Sequence, residues 1–311
     1  MVVKPSSKCT WEECVREELT GIVSKNVISA LVKAFVHCYS RFEECGGGKR
    51  VSYVTGFSRE ASVKLYEEFR CPKVKGLMDA AEHYLRSLAN IMRDSFDAVF
   101  LIRATLQSRL TVSTRNPALP LEISISWDPV LNLPYIPSSS IKGLVRAYVE
   151  TYGGAELDEA LVREVFGSQG SSGLVVFTDA YPVECSGESL VEPDVLTPHY
   201  SEVRKAIDEA SSSPTPLVFP TIARNVTLAM VVAFRCDRGS SSALDCAKVL
   251  KLSEKIRKAL EQGIGARTSI GYGRARVSLE NLSKLTEAQP RELRGRPRSD
   301  SATEGFTEPA R

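Results

Sequence analysis

At 311 residues the chain has room for two compact units plus tails. Its 43% hydrophobic and 25% charged residues are ordinary for a soluble globular protein, and no apolar run approaches the roughly 20 residues of a membrane span. A formal net charge of only +2 excludes a globally basic nucleic-acid binder, so any surface for a polyanion has to be a local patch.

The first residues, MVVKPSSKCTWEEC, contain no apolar signal-peptide core, and the expected compartment is the cytoplasm. Residues 11 to 40 place Trp11, Val15, Leu19, Ile22, Ile28, Leu31 and Phe35 at largely helical spacing, interrupted near Gly21 to Lys25, which predicts two helices. The run Cys45 to Arg50 (CGGGKR) is a break. A third helix follows over Ser58 to Phe69, and Pro72 opens a fourth with Leu77, Met78, Ala81, Leu85 and Leu88 on one face. Residues 1–95 therefore form a helical N-terminal region without a catalytic constellation.

Eight cysteines show no CxxC pair and no zinc-ribbon spacing. Free, mostly buried thiols are the expectation in a reducing cytosol. The alternatives are a metal set built from His37, Cys38, Cys45 and Cys71, or disulfides if the source is a hyperthermophile.

The pattern changes at Asp97. Ala98 to Leu106 and Leu110 to Val112 read as strand, and Leu121 to Trp127 (LEISISW) alternates strictly, predicting another. In PYIPSSSIKGLVR, two prolines hold an extended approach and the serines can cap a helix that buries Ile141, Leu144, Val145 and Tyr148 before stopping at Gly153-Gly154. Lys142 and Arg146 sit one turn apart near its start, where cations oppose the helix dipole unless an anion is bound. The competing reading is a solvated face with an Arg146–Glu150 pair. Gly143, in the first turn, costs about 1 kcal/mol against Ala, and close backbone approach is the usual reason to keep one there.

Phe166 to Gly173 is a polar, glycine-rich loop before a strand at Leu174 to Phe177. DVLTPHY (194–200) holds His199, PTPLVFP (214–220) is extended, and Asn225 to Phe234 is a strong strand. A helix over Ser242 to Gln262 delivers the chain to GIGARTSIGYGRARV (263–277), whose end forms the last strand. That stretch carries Gly263, Gly265, Gly271 and Gly273, Arg267, Arg274 and Arg276, with hydroxyls at Thr268 and Ser269 and no acid. It offers N–H groups, O–H groups and guanidinium forks together, the donors a phosphate accepts. No lysine follows the glycines, so this is not a Walker loop. The plain alternative is a glycine-rich hairpin before a last strand. From about Thr286 the chain is polar and proline-containing and reads as a disordered tail.

These segments carry a family likeness. PYIPSSSIKGLVR, FTDAYP (177–182), DVLTPHY, PTPLVFP and GIGARTSIGYG resemble the RAMP superfamily of CRISPR proteins and, more narrowly, the sixth RAMP subunit of the type III-B (Cmr) effector, over roughly residues 97 to 280. The family usually has glycine where Ser138 and Asn225 stand. The resemblance implies an α+β, ferredoxin-like (RNA-recognition-type) RAMP fold over residues 96–285, as a tandem or fused pair, behind the helical region 1–95 and before the tail 286–311. It implies a sheet and glycine loop that grip RNA backbone, with Ser139, Ser140, Lys142, Gly143, Arg146, Gly263, Gly265, Arg267, Thr268, Ser269, Gly271, Gly273 and Arg274 as contacts. The partners it implies are the guide (CRISPR) RNA, target RNA, neighbouring RAMP subunits and the small subunit. The implied role is to cap the filament near the 3′ end of the guide, contacting the guide–target duplex, in antiviral defence.

No cofactor, metal or membrane partner is expected. Metal-independent RNA cleavage needs groups such as histidine, lysine or tyrosine near the scissile bond, and His199 with Tyr200 is the one pair that applies. Asp179 and Asp128 each follow a predicted strand but stand alone, a poor magnesium site. The reading is therefore a chain that binds RNA without cutting it. The alternatives are a RAMP endoribonuclease using His199 and an interaction-only scaffold.

Overall fold

The computed structural model describes residues 11–44, 53–153, 159–197, 201–203, 206–208, 216–236 and 246–283. His199, Cys45 and the tail from 286 lie outside the described residues.

The N-terminal third is helical as the periodicity predicts. Helix α1 (Trp11–Glu18) ends at Gly21, whose φ of 68° turns the chain through a short 3-10 turn at Ile22–Ser24 into α2 (Val27–Glu44). Helix α3 spans Tyr53–Glu68, beginning five residues before Ser58, and α4 (Cys71–Ser95) carries Pro72 in its first turn, where the missing N–H has no helical partner anyway. Leu19, Ile22, Leu31, Phe57, Leu65 and Leu85 are buried between these helices and the rest of the chain.

The cysteines correct the free-thiol expectation. Cys14 is bonded to Cys38, joining α1 to α2, and Cys71 to Cys185, joining the start of α4 to a sheet strand. Cys38 and Cys71 are thus unavailable to the metal set considered above, and no group of three metal-ligating side chains occurs among the described residues.

Strand β1 (Ala98–Leu106) opens an antiparallel sheet. Helices α5 (Ser138–Tyr152) and α6 (Glu159–Phe166) follow, then β2 (Val175–Phe177) and β3 (Tyr181–Cys185). A ribbon of β4 (Val191–Leu196) and β7 (Leu217–Ile222) brackets a small hairpin, β5 (Ser201–Val203) with β6 (Ala206–Asp208). The chain returns through β8 (Val226–Phe234), α7 (Cys246–Gln262) and β9 (Ala275–Asn281). The sheet order is β2–β8–β1–β9, with β3 continuing beside β8 beyond β2. Ala98 pairs with Phe234, Leu106 with Ala275 and Cys185 with Val226, so the end of β1 and the starts of β8 and β9 share one rim.

Helices α5 and α7 pack together on one face of this sheet and α4 covers the other. All nine residues of β8 are buried, as a strand covered on both faces requires. Among the described residues the sheet thus has little open face. What the α4 side leaves exposed is a strip at the β9 edge, Thr105, Arg276, Ser278 and Glu280. One core runs without interruption from Trp11 to Val277.

LEISISW is not a strand. Ser124 and Ser126 are buried while Ile123 is half-exposed, so the alternation does not mark a half-buried ladder. The segment is held singly instead, with the Ser124 N–H on the Thr114 carbonyl at 3.0 Å and an isolated bridge from Trp127 to Pro134. Leu110 and Thr111 likewise make only isolated bridges, to Ile222 and Ala266.

Candidate nucleic-acid interface

The glycine stretch fills the rim between α7 and β9, and its backbone is spoken for. Ile264 N–H donates to the Gly273 carbonyl at 2.9 Å, Ala266 to Thr111 at 2.8 Å, and Gly273 to Arg109 at 2.8 Å. Arg274 N–H donates to the Ser108 hydroxyl at 2.9 Å. A 3-10 turn over Thr268–Ile270 uses the N–H groups of Ile270 and Gly271. Two glycines are demanded by this folding. Gly273 (φ 68°) and Gly265 (φ 85°) are left-handed, and a Cβ at either would overlap a backbone carbonyl, that of Ile264 or Thr111. The sequence reading offered the loop's N–H groups to phosphate; the structure commits most of them internally. Its free donors are side chains: Thr268 is half-exposed, Ser269, Arg274 and Arg276 are exposed, and no ion pair holds either arginine among the described residues.

Arg267 is the best-defined of these groups. Its backbone is left-handed (φ 63°), a conformation that few residues with a Cβ adopt. Its guanidinium lies 5.5 Å from the Tyr272 ring centre and 5.7 Å from that of buried Phe219. Two aromatic rings hold the cation in place while no carboxylate pairs with it among the described residues.

Carboxylates are close by, but another cation takes them. Arg109 reaches Glu192 at 2.9 Å and Asp194 at 3.1 Å. The Tyr272 hydroxyl donates to the other oxygen of Asp194. Burial first, and the Asp194 carboxylate second, push the Tyr272 hydroxyl above its usual pKa, against the pull of Arg267 and Arg109. It stays protonated at neutral pH and remains a donor.

The second group sits at the start of α5. No serine caps this helix: its N-cap is Pro137, and the Ser138 N–H donates at 2.6 Å to Asp179 from the turn between β2 and β3. Ser139, Ser140 and Gly143 are exposed, and a Cβ on Gly143 would meet nothing within 4 Å. Lys142 is half-buried with no ion pair among the described residues, whereas Arg146 binds Glu150 at 2.8 Å and the Gly167 carbonyl at 3.3 Å. Both line an open hollow of about 580 Å³ whose far wall is the hairpin of Ser168, Gln169, Ser171 and Ser172.

The structure does not bring the two groups together. The α5 hollow flanks edge strand β2 and the glycine loop leads into the opposite edge strand β9, with β8 and β1 between them. At strand spacing that is about 14 Å of sheet. Asp128 and Asp179, considered above as metal ligands, are both in structural use. Asp128 accepts the N–H groups of Val130 and Leu131 and the Tyr181 hydroxyl, while Asp179 holds α5. Burial first, then the bond to Asp128, raises the Tyr181 hydroxyl far above its usual pKa.

Sequence reasoning missed the hollow's serine wall and the Arg109–Asp194–Tyr272 network. Tyr272 was flagged only by the glycines on either side of it. Asp194 faces Phe219 across the β4–β7 ribbon, a register that no local pattern announces. Arg276 was visible as an alternating partner of Arg274 in the last strand.

Comparison with known proteins follows the same residues. The profile of the RAMP superfamily matches residues 120–276, which include both groups. CRISPR system CMR subunit Cmr6 of Saccharolobus solfataricus is 34% identical over 231 residues, 74% of this chain and 72% of the relative. CRISPR system Cmr subunit Cmr6 of Pyrococcus furiosus is 30% identical over 127 residues, 38% of this chain and 35% of the relative. Among solved structures, a chain in the cryo-EM structure of the type III-B Cmr-beta bound to cognate target RNA superposes with a TM-score of 0.69 at 25% identity. That match covers 88% of this chain and 98% of the other.

Proposed function

Because the chain belongs to the RAMP superfamily and, within it, to the Cmr6 subunits of the CRISPR Cmr system, we propose that it is an RNA-binding subunit of a type III-B effector complex. In this reading it works in the cytoplasm, caps the filament of neighbouring RAMP subunits beside the small subunit, and contacts the guide RNA near its 3′ end and the guide–target duplex. The observation that carries the reading is Arg267: a guanidinium held over two rings, with no carboxylate partner among the described residues, on a rim that also exposes Arg274 and Arg276. Such a group binds phosphate through its N–H edge and addresses backbone rather than bases. Lys142, Ser139 and Ser140, beside the α5 hollow, form the second contact.

The fold reading is one ferredoxin-like, RNA-recognition-type unit. The order β1, α5, β2/β3, β8, α7, β9 with antiparallel strands arranged β2–β8–β1–β9 supports it. A second sheet of this order, as a tandem pair requires, has no counterpart among the described residues, whose other strands form two-stranded ribbons.

We take the subunit to bind RNA without cutting it, and the structural commitments of Asp128 and Asp179 support this. The test is fluorescence anisotropy with a labelled guide RNA across a salt series. Affinity should fall steeply with salt, and Arg267→Ala should weaken binding and lower the slope of log K against log salt by about 0.7, the single-strand value for one lost phosphate contact. Affinity indifferent to both Arg267→Ala and Lys142→Ala would leave the scaffold reading. Cleavage of the labelled RNA, abolished by His199→Ala, would establish the endoribonuclease.

A further inference from the structure

We propose that Asp194 is a positioning residue for RNA binding, fixing Tyr272 and Arg109 so that the Arg267 guanidinium stays free for a phosphate. This rests on the reading above that the loop binds RNA. A carboxylate beside a phosphate site ordinarily repels the ligand, so an acid standing there calls for a reason. The side chain of Asp194 is only 14% exposed, and both its oxygens are engaged, one by Arg109 at 3.1 Å and the other by the Tyr272 hydroxyl. Its bond to Tyr272 anchors the outer end of one of the two rings that hold Arg267. The other ring, Phe219, is its direct cross-strand partner, so one register position of the β4–β7 ribbon supplies one ring and the anchor of the other.

Arg109 completes the device. It neutralises Glu192 as well as Asp194, and its carbonyl accepts the Gly273 N–H that closes the loop. Both carboxylates are thereby satisfied by a cation that is not Arg267. Removing Asp194 frees the Tyr272 ring and loosens Arg109. Arg267 then loses one of the two ring faces that hold its guanidinium.

The sign of the effect is the test. RNA affinity and its salt dependence are measured on the full chain for wild type, Asp194→Asn, Tyr272→Phe, Arg267→Ala and the Asp194→Asn/Arg267→Ala double variant, with melting curves for each. Asp194→Asn should weaken binding roughly tenfold although it removes a negative charge, and the double variant should bind no worse than Arg267→Ala alone. Tyr272→Phe keeps the ring and loses only the hydroxyl bond, so it reports on Asp194 should the Asn variant unfold, and it should weaken binding in the same direction. Both single variants should lower the salt slope by the same amount as Arg267→Ala. Unchanged or tighter binding by Asp194→Asn and Tyr272→Phe, or additive losses in the double variant, would overturn the positioning role. Wild-type affinity in Arg267→Ala alone would likewise overturn the positioning role, whereas wild-type binding without salt dependence, or affinity indifferent to both Arg267→Ala and Lys142→Ala, would remove the RNA reading itself.

Discussion

Gly273 and Gly143 look alike in the sequence, each next to a cation, yet the structure accounts for them in opposite ways. A side chain on Gly273 would overlap the Ile264 carbonyl, while one on Gly143 would meet nothing. The same split runs through the arginines. Arg146 is engaged by Glu150 and Gly167, and the Arg267 guanidinium has only ring faces for company among the described residues. The glycine loop is thus built by internal demand and presents its side chains, whereas the start of α5 keeps a bare glycine with no internal use for it. A residue that the fold explains is weak support for a ligand; Gly143 and Arg267 are among those that it leaves over.

The strongest way to break this contrast is to give Gly273 a methyl group. Gly273→Ala combines a left-handed φ with overlap on backbone and should cost about 3 kcal/mol, seen as a lower melting temperature. Asp179→Ala comes next, removing the acceptor that caps α5 from 41 residues away; about 1 kcal/mol should be lost in denaturant unfolding. Gly143→Ala should move stability the other way, gaining up to about 1 kcal/mol, while RNA affinity falls if backbone approaches the ligand there. A gain in both would show that Gly143 has no contact to protect. The smallest effect belongs to Arg146→Ala. Its exposed pair with Glu150 should contribute no more than about 0.5 kcal/mol, and its loss should weaken RNA binding less than Arg267→Ala does.

The helices and the long strands were legible because their signals are local. Val226 to Phe234 is apolar but for Thr227, and Ile141, Val145 and Val149 keep the helical spacing of α5. Asn225, standing where the family usually has glycine, adopts φ 63°, the left-handed geometry that asparagine tolerates. LEISISW misled because alternation predicts a ladder only when a partner strand lies alongside, and Ser113 and Asn132, both near φ 54°, bend the chain out of one on either side. The α5 cap was misassigned to nearby serines because Asp179 is distant in sequence. Which of the glycine loop's groups are free was not legible, since Thr111, Arg109 and Ser108 consume its N–H groups from elsewhere in the chain. The pairings Cys14–Cys38 and Cys71–Cys185 were not legible, because spacing alone says nothing about which thiols meet.

The bond between Cys71 and Cys185 has a topological consequence. It closes a covalent circle of chain, with a sequence separation of 114, that contains α4, β1, the long irregular segment before α5, and both wings of the α5 hollow. A protease that cuts once anywhere inside that circle leaves every atom of the molecule still attached. Nicked protein should therefore run as one intact mass until a reductant is added and then separate into two, while a cut outside the circle need not behave this way. The α5 group thus lies inside the circle and the glycine loop outside it.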